Sequence, residues 1–275
     1  MRTTSTQVVV ADGFDGIGSR QIRLLQEASK LGDLTVLLWS DASLHRLTGK
    51  APKYSAAERL YFLKRIRYVS QVKQVEAPND PNTLPPIQGP QPQFWVVDTA
   101  QDRPAKKASC ASCGLEYRVL RDEDLRGFPT QSPTPSIPPR KKVVVTGCYD
   151  WFHTGHVRFF EEVSQYGDLY VIVGHDTNIR LLKGQDHPLF PQEERRYVVG
   201  SIRFVTQALI SSGEGWLDAD PEIRRLRPDL YAVNEDGDNG GKREYCERLG
   251  IGYLVLHRTP APGLPRRTST ALRGF

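Results

Sequence analysis

The sequence predicts an α/β fold made of two tandem units, each a parallel sheet flanked by helices. Three observations predict it. The all-valine runs at 8–10 and 143–145 read as strands buried on both faces, which is how a helix-covered parallel sheet is written. Strand-like and helix-like stretches then alternate, as right-handed crossovers between parallel strands require. The chain also matches itself at an offset of 135 residues that becomes 136 partway along.

The self-match runs nearly end to end. Asp15 falls on Asp150, Gly32-Asp33-Leu34 on Gly167-Asp168-Leu169, Asp41 on Asp176 and Gly49 on Gly184. A one-residue slip follows, after which Pro52 meets Pro188, Glu58-Arg59 meets Glu194-Arg195, Ile66-Arg67 meets Ile202-Arg203, Lys106 meets Lys242 and Cys110 meets Cys246. The expected organisation is a first domain at 1–129, a Pro/Ser/Thr-rich linker at 130–141 and a second domain at 142–275.

In the second unit a strand is expected at 143–147, then a helix over 155–166 whose Val157, Phe160 and Val163 recur every three residues. A strand at 169–174 and a helix at 191–204 follow. A strand at 229–233, a helix at 241–249 stopped by Gly250 and a strand at 253–257 close the unit. The first unit reads alike, except that a Pro-rich stretch at 78–92 replaces the region 214–228 and is expected to be a surface loop.

The 275 residues carry 39% hydrophobic and 25% charged side chains, ordinary for a globular protein. No apolar run reaches the length of a membrane span, and residues 1–7 lack the layout of a signal peptide, so a cytoplasmic address is expected. Four cysteines are too few for a disulfide scaffold, and Cys110 and Cys113 read as two buried thiols. The net charge of +5 suits an anionic small substrate, while the dispersed basic residues and the lack of a recognisable motif argue against nucleic acid.

Comparing the copies separates scaffold from chemistry. His153-Thr154-Gly155-His156 stands on Gly18-Ser19-Arg20-Gln21, Lys183 on Thr48, Arg258-Thr259 on Asp122-Glu123, and Thr268-Ser269-Thr270 on Ser132-Pro133-Thr134. Scaffold positions persist, and the polar groups that a phosphate site needs are replaced in the first copy, which therefore reads as catalytically silent. In the second copy a buried strand, a tight loop and a helix start carrying two histidines form a junction suited to phosphate, because a helix N-terminus offers unpaired N–H groups and a positive dipole end. No cysteine or histidine partners lie at zinc spacing, so no metal ligands are assigned.

The run Gly147-Cys148-Tyr149-Asp150-Trp151-Phe152-His153-Thr154-Gly155-His156 resembles the G-T-F-D-x-x-H-x-G-H of the His-x-Gly-His nucleotidyltransferases, and within them the cytidylyltransferase branch. Lys183 falls where that family carries a lysine after the second strand, and Glu194-Arg195 on its E-R helix start. Arg258-Thr259 and Thr268-Ser269-Thr270 resemble its R-T-x-G-I-S-T-T, interrupted here by an insertion at 260–267, and Asn234-Glu235-Asp236 stands near its G-D-D. The tandem layout is similar to that of the ethanolamine-phosphate cytidylyltransferases.

The resemblance implies two Rossmann-like nucleotidyltransferase domains. It implies transfer of CMP from CTP to a phosphorylated alcohol or polyol, with pyrophosphate leaving, and adenylyl transfer from ATP or a non-catalytic nucleotide sensor as alternatives. It assigns catalysis to His153, His156 and Lys183. Nucleotide and phosphate binding goes to Gly147, Cys148, Tyr149, Asp150, Gly155, Arg195, Asn234, Glu235, Asp236, Arg258, Thr268, Ser269, Thr270 and Arg273. Asp150 and Arg195 also have counterparts in the silent copy, so bracing roles stay open for both. Mg²⁺ is expected to arrive with the triphosphate. The expected partners are that nucleotide and a phosphorylated acceptor, with the two units forming a pseudo-dimer in one chain and a homodimer possible.

Overall fold

Five parallel strands lie in the same order in both halves of the computed structural model, which describes residues 5–238, 240–269 and 272. The chain divides into two compact units, Met1–Gly127 and Phe128–Phe275.

In the first unit β1 (Gln7–Asp12), β2 (Asp33–Trp39), β3 (Gln71–Val75), β4 (Phe94–Asp98) and β5 (Glu116–Leu120) are ordered β3-β2-β1-β4-β5. Its helices are α1 (Ser19–Ser29), α2 (Asp41–Thr48), α3 (Ala56–Leu63) and α4 (Pro104–Ser112). In the second unit β6 (Lys142–Gly147), β7 (Asp168–Val173), β8 (Val205–Ile210), β9 (Leu230–Asn234) and β10 (Gly252–Leu256) are ordered β10-β9-β6-β7-β8, the same order read from the opposite edge. Between them run α5 (Thr154–Val163), α6 (Asp176–Lys183), α7 (Gln192–Gly200), α8 (Asp220–Leu226) and α9 (Lys242–Leu249).

The valines of β6 pair with β7 on one side and β9 on the other, Val144 lying between Tyr170 and Tyr231. All three of those valines are fully buried, as a central strand covered by helices on both faces demands. The chain leaves β6 towards β7 and later returns to its other flank. In an open parallel sheet that reversal leaves a crevice at the carboxyl ends of the strands, and the histidine-bearing loop emerges there.

The structure adds the edge strands β3 and β8, and the short helices α2, α6 and α8, to the elements expected from sequence. Edge position explains why the strands were hard to read. Gln71–Val75 breaks the polar–apolar alternation at Lys73-Gln74 and is only partly buried. The Pro-rich stretch at 78–92 also does more than span the surface. Its Leu84 and Ile87 pack on the core formed by Val9, Leu37, Trp95 and Val97, the sheet face that Ala219 and Ile223 of the α8 region cover in the second unit.

The stretch at 130–141 lies on the second unit. Thr134 donates its N–H to Thr206 O on the edge strand β8 at 3.2 Å, and Ser136 donates from its N–H and Oγ to the Asp168 carboxylate at 3.0 and 2.6 Å. The segment thereby occupies part of a strand edge that would otherwise be open to pairing. Of the two thiols expected to be buried, Cys110 is buried but Cys113, the residue that follows α4, is exposed.

Candidate active site

The loop leaving β6 is tight. Tyr149 sits at φ 55°, a conformation costly for a residue with a Cβ, and its counterpart Phe14 sits at φ 51°. Gly147 makes room for the Tyr149 ring, since a Cβ there would meet Tyr149 Cζ at 2.8 Å. Both copies therefore spend the same strain on the same turn.

Two side chains brace the loop in both units. The Asp150 carboxylate accepts the N–H groups of Leu189 and Phe190 at 2.9 Å each, as Asp15 accepts those of Lys53 and Tyr54 at 2.9 and 3.0 Å. Arg195 is fully buried and donates to Phe190 O at 2.9 Å, Cys148 O at 2.6 Å, Gly174 O at 2.8 Å and Asp176 Oδ1 at 2.6 Å. Arg59 does the same with Tyr54 O, Gly13 O, Trp39 O and Asp41. The expectation that Arg195 binds phosphate is thus corrected: its fork is committed to three loops and a carboxylate, and it does not reach the cleft.

His153 caps α5 and its Nδ1 accepts the N–H of Gly155 at 3.0 Å. His156 lies one turn on, and its Nδ1 accepts the His153 N–H at 3.3 Å. A ring nitrogen that accepts a hydrogen bond carries no proton, so both neutral rings hold theirs on Nε2. The rings stack with centroids 4.0 Å apart, and Phe152 stacks on the far face of the pair at 5.2 Å from His156. Burial, then the positive charges of Arg258 and Arg267, pushes the His153 pKa down to about 4. Burial, then His153, Arg258 and Lys183, holds His156 well below its usual range. His153 Nε2 is buried with no hydrogen-bond partner among the described residues. A buried donor left unpaired costs on the order of 1–3 kcal/mol and calls for an explanation.

His156 borders a cleft of about 580 Å³, whereas His153, on which it stacks, does not line it. The β6 loop contributes Gly147, Cys148, Tyr149 and Asp150, and α5 contributes Gly155 and His156. Lys183 enters from the last residue of α6 rather than from a loop. Asn234 and Asp236 enter from the end of β9, Arg258 from the end of β10, and Ser269 from the C-terminal stretch. Asn234 Oδ1 is buried without a hydrogen-bond partner among the described residues.

Arg258 pairs with Asp236 and donates to Arg267 O at 3.1 Å. The insertion at 260–267 folds beside it, where Arg266 and Arg267 line a small cavity with Thr154 and Gly155. Glu235 does not line the cleft; it faces His257 Nδ1 at 2.7 Å and accepts the Arg258 N–H at 3.3 Å. Thr268 lies outside the lining as well. Thr270 and Arg273 lie outside the described residues.

The cleft also holds residues that sequence reasoning missed, among them Trp151, His187 and Lys242. Lys242 was visible only as a position shared with Lys106. His187 lies where the copies slip by one residue, and that slip was its signal.

The corresponding place in the first unit carries the opposite charge. Arg20 on α1 pairs with Asp122 at 2.8 Å and Asp98 at 3.4 Å. Asp122 stands at the Arg258 position, Asp98 at Asn234 and Asp12 at Gly147. Burial raises the Asp12 carboxyl above the usual range. Among the described residues no group of three or more His, Cys, Asp or Glu side chains could hold a metal ion, and no helix is long and apolar enough to cross a membrane.

Comparison with known proteins places the second unit. A family profile described as "Cytidylyltransferase-like" matches residues 144–260. An FAD synthase of Ferroglobus placidus is 39% identical over 119 residues, 42% of this chain and 74% of that protein. An FAD synthase of Pyrococcus abyssi is 39% identical over 121 residues, 42% of this chain and 79% of that protein. The bifunctional protein HldE of Aliarcobacter butzleri is 33% identical over 104 residues, 37% of this chain but only 21% of that longer protein. With its histidine-bearing loop, its parallel sheet and relatives at this identity matched over about three quarters of their length, the chain belongs to the cytidylyltransferase-like family of nucleotidyltransferase enzymes.

Proposed function

We propose that the second unit transfers AMP from ATP to a phosphate oxygen of a small phosphorylated acceptor and releases pyrophosphate. The buried, neutral histidine pair at the start of α5 is the observation that carries this reading. Two imidazoles that keep their protons on Nε2 donate hydrogen bonds without being spent as acids. His156 lines the cleft and stacks on His153, whose Nε2 has no partner among the described residues. One donor of this kind typically contributes on the order of 100- to 1000-fold in rate.

The acceptor phosphate attacks the α-phosphorus, the bond to the bridging oxygen breaks, and pyrophosphate carries away the electron pair. No covalent enzyme intermediate is needed, so the protein contributes position and charge. His153 and His156 serve the α-phosphate. Arg258, held by Asp236, and Ser269 serve the leaving phosphates, and Lys183 supplies a further positive charge. Asn234 and Asp236 border the nucleoside. Mg²⁺ accompanies the triphosphate as part of the substrate. The first unit, with carboxylates at the matching positions, takes no part in the chemistry.

The FAD synthase relatives favour adenylyl over cytidylyl transfer, because FAD is FMN joined to AMP. The family profile and the G-x-x-D-x-x-H-x-G-H run keep CMP transfer from CTP as the second reading. Steady-state pyrophosphate release with ATP, CTP, GTP and UTP, each paired with FMN, glycerol 3-phosphate and a sugar 1-phosphate, separates the two. A kcat/KM for ATP at least tenfold above CTP is the expected result, and the reverse order selects the cytidylyl reading.

A further inference from the structure

We infer that His187 is a binding residue for the acceptor phosphate and forms that subsite together with Lys183. The inference rests on the proposed nucleotidyl transfer and adds to it the place where the second substrate sits.

The two groups enter the cleft from one connection. Lys183 ends α6, the helix that follows β7, and His187 lies four residues later, both lining the cleft. His187 is held in place there. Asp150 takes the N–H groups of Leu189 and Phe190, two and three residues further on, and Arg195 takes Phe190 O. The same Asp150 carboxylate lies 3.8 Å from His187 Nδ1, and the His187 side chain is only 17% exposed. A polar group fixed in this way loses little freedom when a ligand arrives.

The geometry of displacement decides which substrate it serves. Nucleophile and leaving group lie roughly in line through the α-phosphorus. Arg258 enters the cleft from the end of β10 and Arg266 and Arg267 line the small cavity beside it, so the leaving pyrophosphate finds positive charge on that side. The acceptor then enters from the opposite flank of β6, the β7 side, and there Lys183 and His187 are the groups that meet a dianionic phosphate.

The two copies point the same way. Between the matched glycines Gly49 and Gly184 and the matched prolines Pro52 and Pro188, the first unit has Lys50-Ala51 and the second has Gln185-Asp186-His187. The bracing pairs Asp15/Asp150 and Arg59/Arg195 are common to both, so the brace needs neither the extra residue nor the histidine. His187 falls with His153, His156, Lys183 and Arg258 in the set that only the second unit carries.

The test uses the full chain with His187→Ala and His187→Gln, and with FMN, glycerol 3-phosphate and a sugar 1-phosphate as probe acceptors. In His187→Ala the acceptor KM should rise about tenfold or more, while the nucleotide KM stays within about twofold. His187→Gln, which keeps a hydrogen-bond donor at this position, should recover a good part of the loss and controls for folding. A residue that merely braced the loop would move both KM values and kcat together, and that result overturns the inference, as does an unchanged acceptor KM. If the unaltered chain releases no pyrophosphate with any pairing, the proposed reaction itself falls and the subsite with it.

Discussion

The His153 ring occupies the space that a side chain on Gly155 would need: a Cβ there would lie 2.8 Å from His153 Cε1 and 2.9 Å from Nδ1. The glycine of the His-x-Gly-His run is therefore present so that the preceding imidazole can fold back over the helix start. The first unit shows the converse. With Gly18 at the histidine position, Arg20 stands where Gly155 does. Gly155→Ala should displace the imidazole and lower kcat by roughly 100-fold, the loss typical of one such donor. Pyrophosphate release by the folded variant measures it; a kcat within threefold of the parent contradicts the steric account.

The depressed His153 pKa links the site to acid stability. The folded chain holds this ring neutral down to about pH 4, whereas the unfolded chain takes up a proton near 6.5. Stability from this ring is complete above the unfolded value and is lost as pH falls from about 6.5 to 4, up to about 3 kcal/mol in all. His153→Gln should flatten the drop in denaturant midpoint between pH 7 and pH 4.5. An equal drop in parent and variant places the acid sensitivity elsewhere.

The two buried arginines make a matched pair of predictions. Replacing Arg59 or Arg195 by Met strips hydrogen bonds from buried loop carbonyls and from Asp41 or Asp176, and each should cost about 3 kcal/mol. Arg59→Met should still release pyrophosphate at near-parental kcat when assayed well below its unfolding transition. A nucleotide KM altered by Arg59→Met with no loss of stability would refute the bracing role.

The Arg20–Asp122 pair of the first unit looks similar on paper and differs in energy. Its side chains are 45% and 69% exposed, so water screens the attraction. Arg20→Ala should change stability by less than about 1 kcal/mol and leave turnover unchanged. A loss of activity would show that the first unit enters the chemistry.

Much of this was legible in the residues. The all-valine central strands and the doubled pattern mark the fold, and the loss of both histidines from one copy marks the unit that holds the candidate site. Edge strands escaped because half-exposed residues such as those of Gln71–Val75 lack a strong period. Arg195 was ambiguous because a phosphate ligand and a buried bracket use the same residue type, and only its four acceptors decide between them. His187 escaped because its chemistry depends on a fold that brings it to Lys183, whereas the sequence shows only a slip of one residue.

The most direct test of the central claim, that the buried histidine pair of the second unit catalyses nucleotidyl transfer, is pyrophosphate release by the parent and by the His153→Ala/His156→Ala double variant across the nucleotide and acceptor pairings. Turnover in the parent should require both substrates, and the double variant, its fold intact by circular dichroism, should lose at least about 1000-fold. Undiminished turnover in the double variant, or none with any pairing in the parent, would contradict that claim.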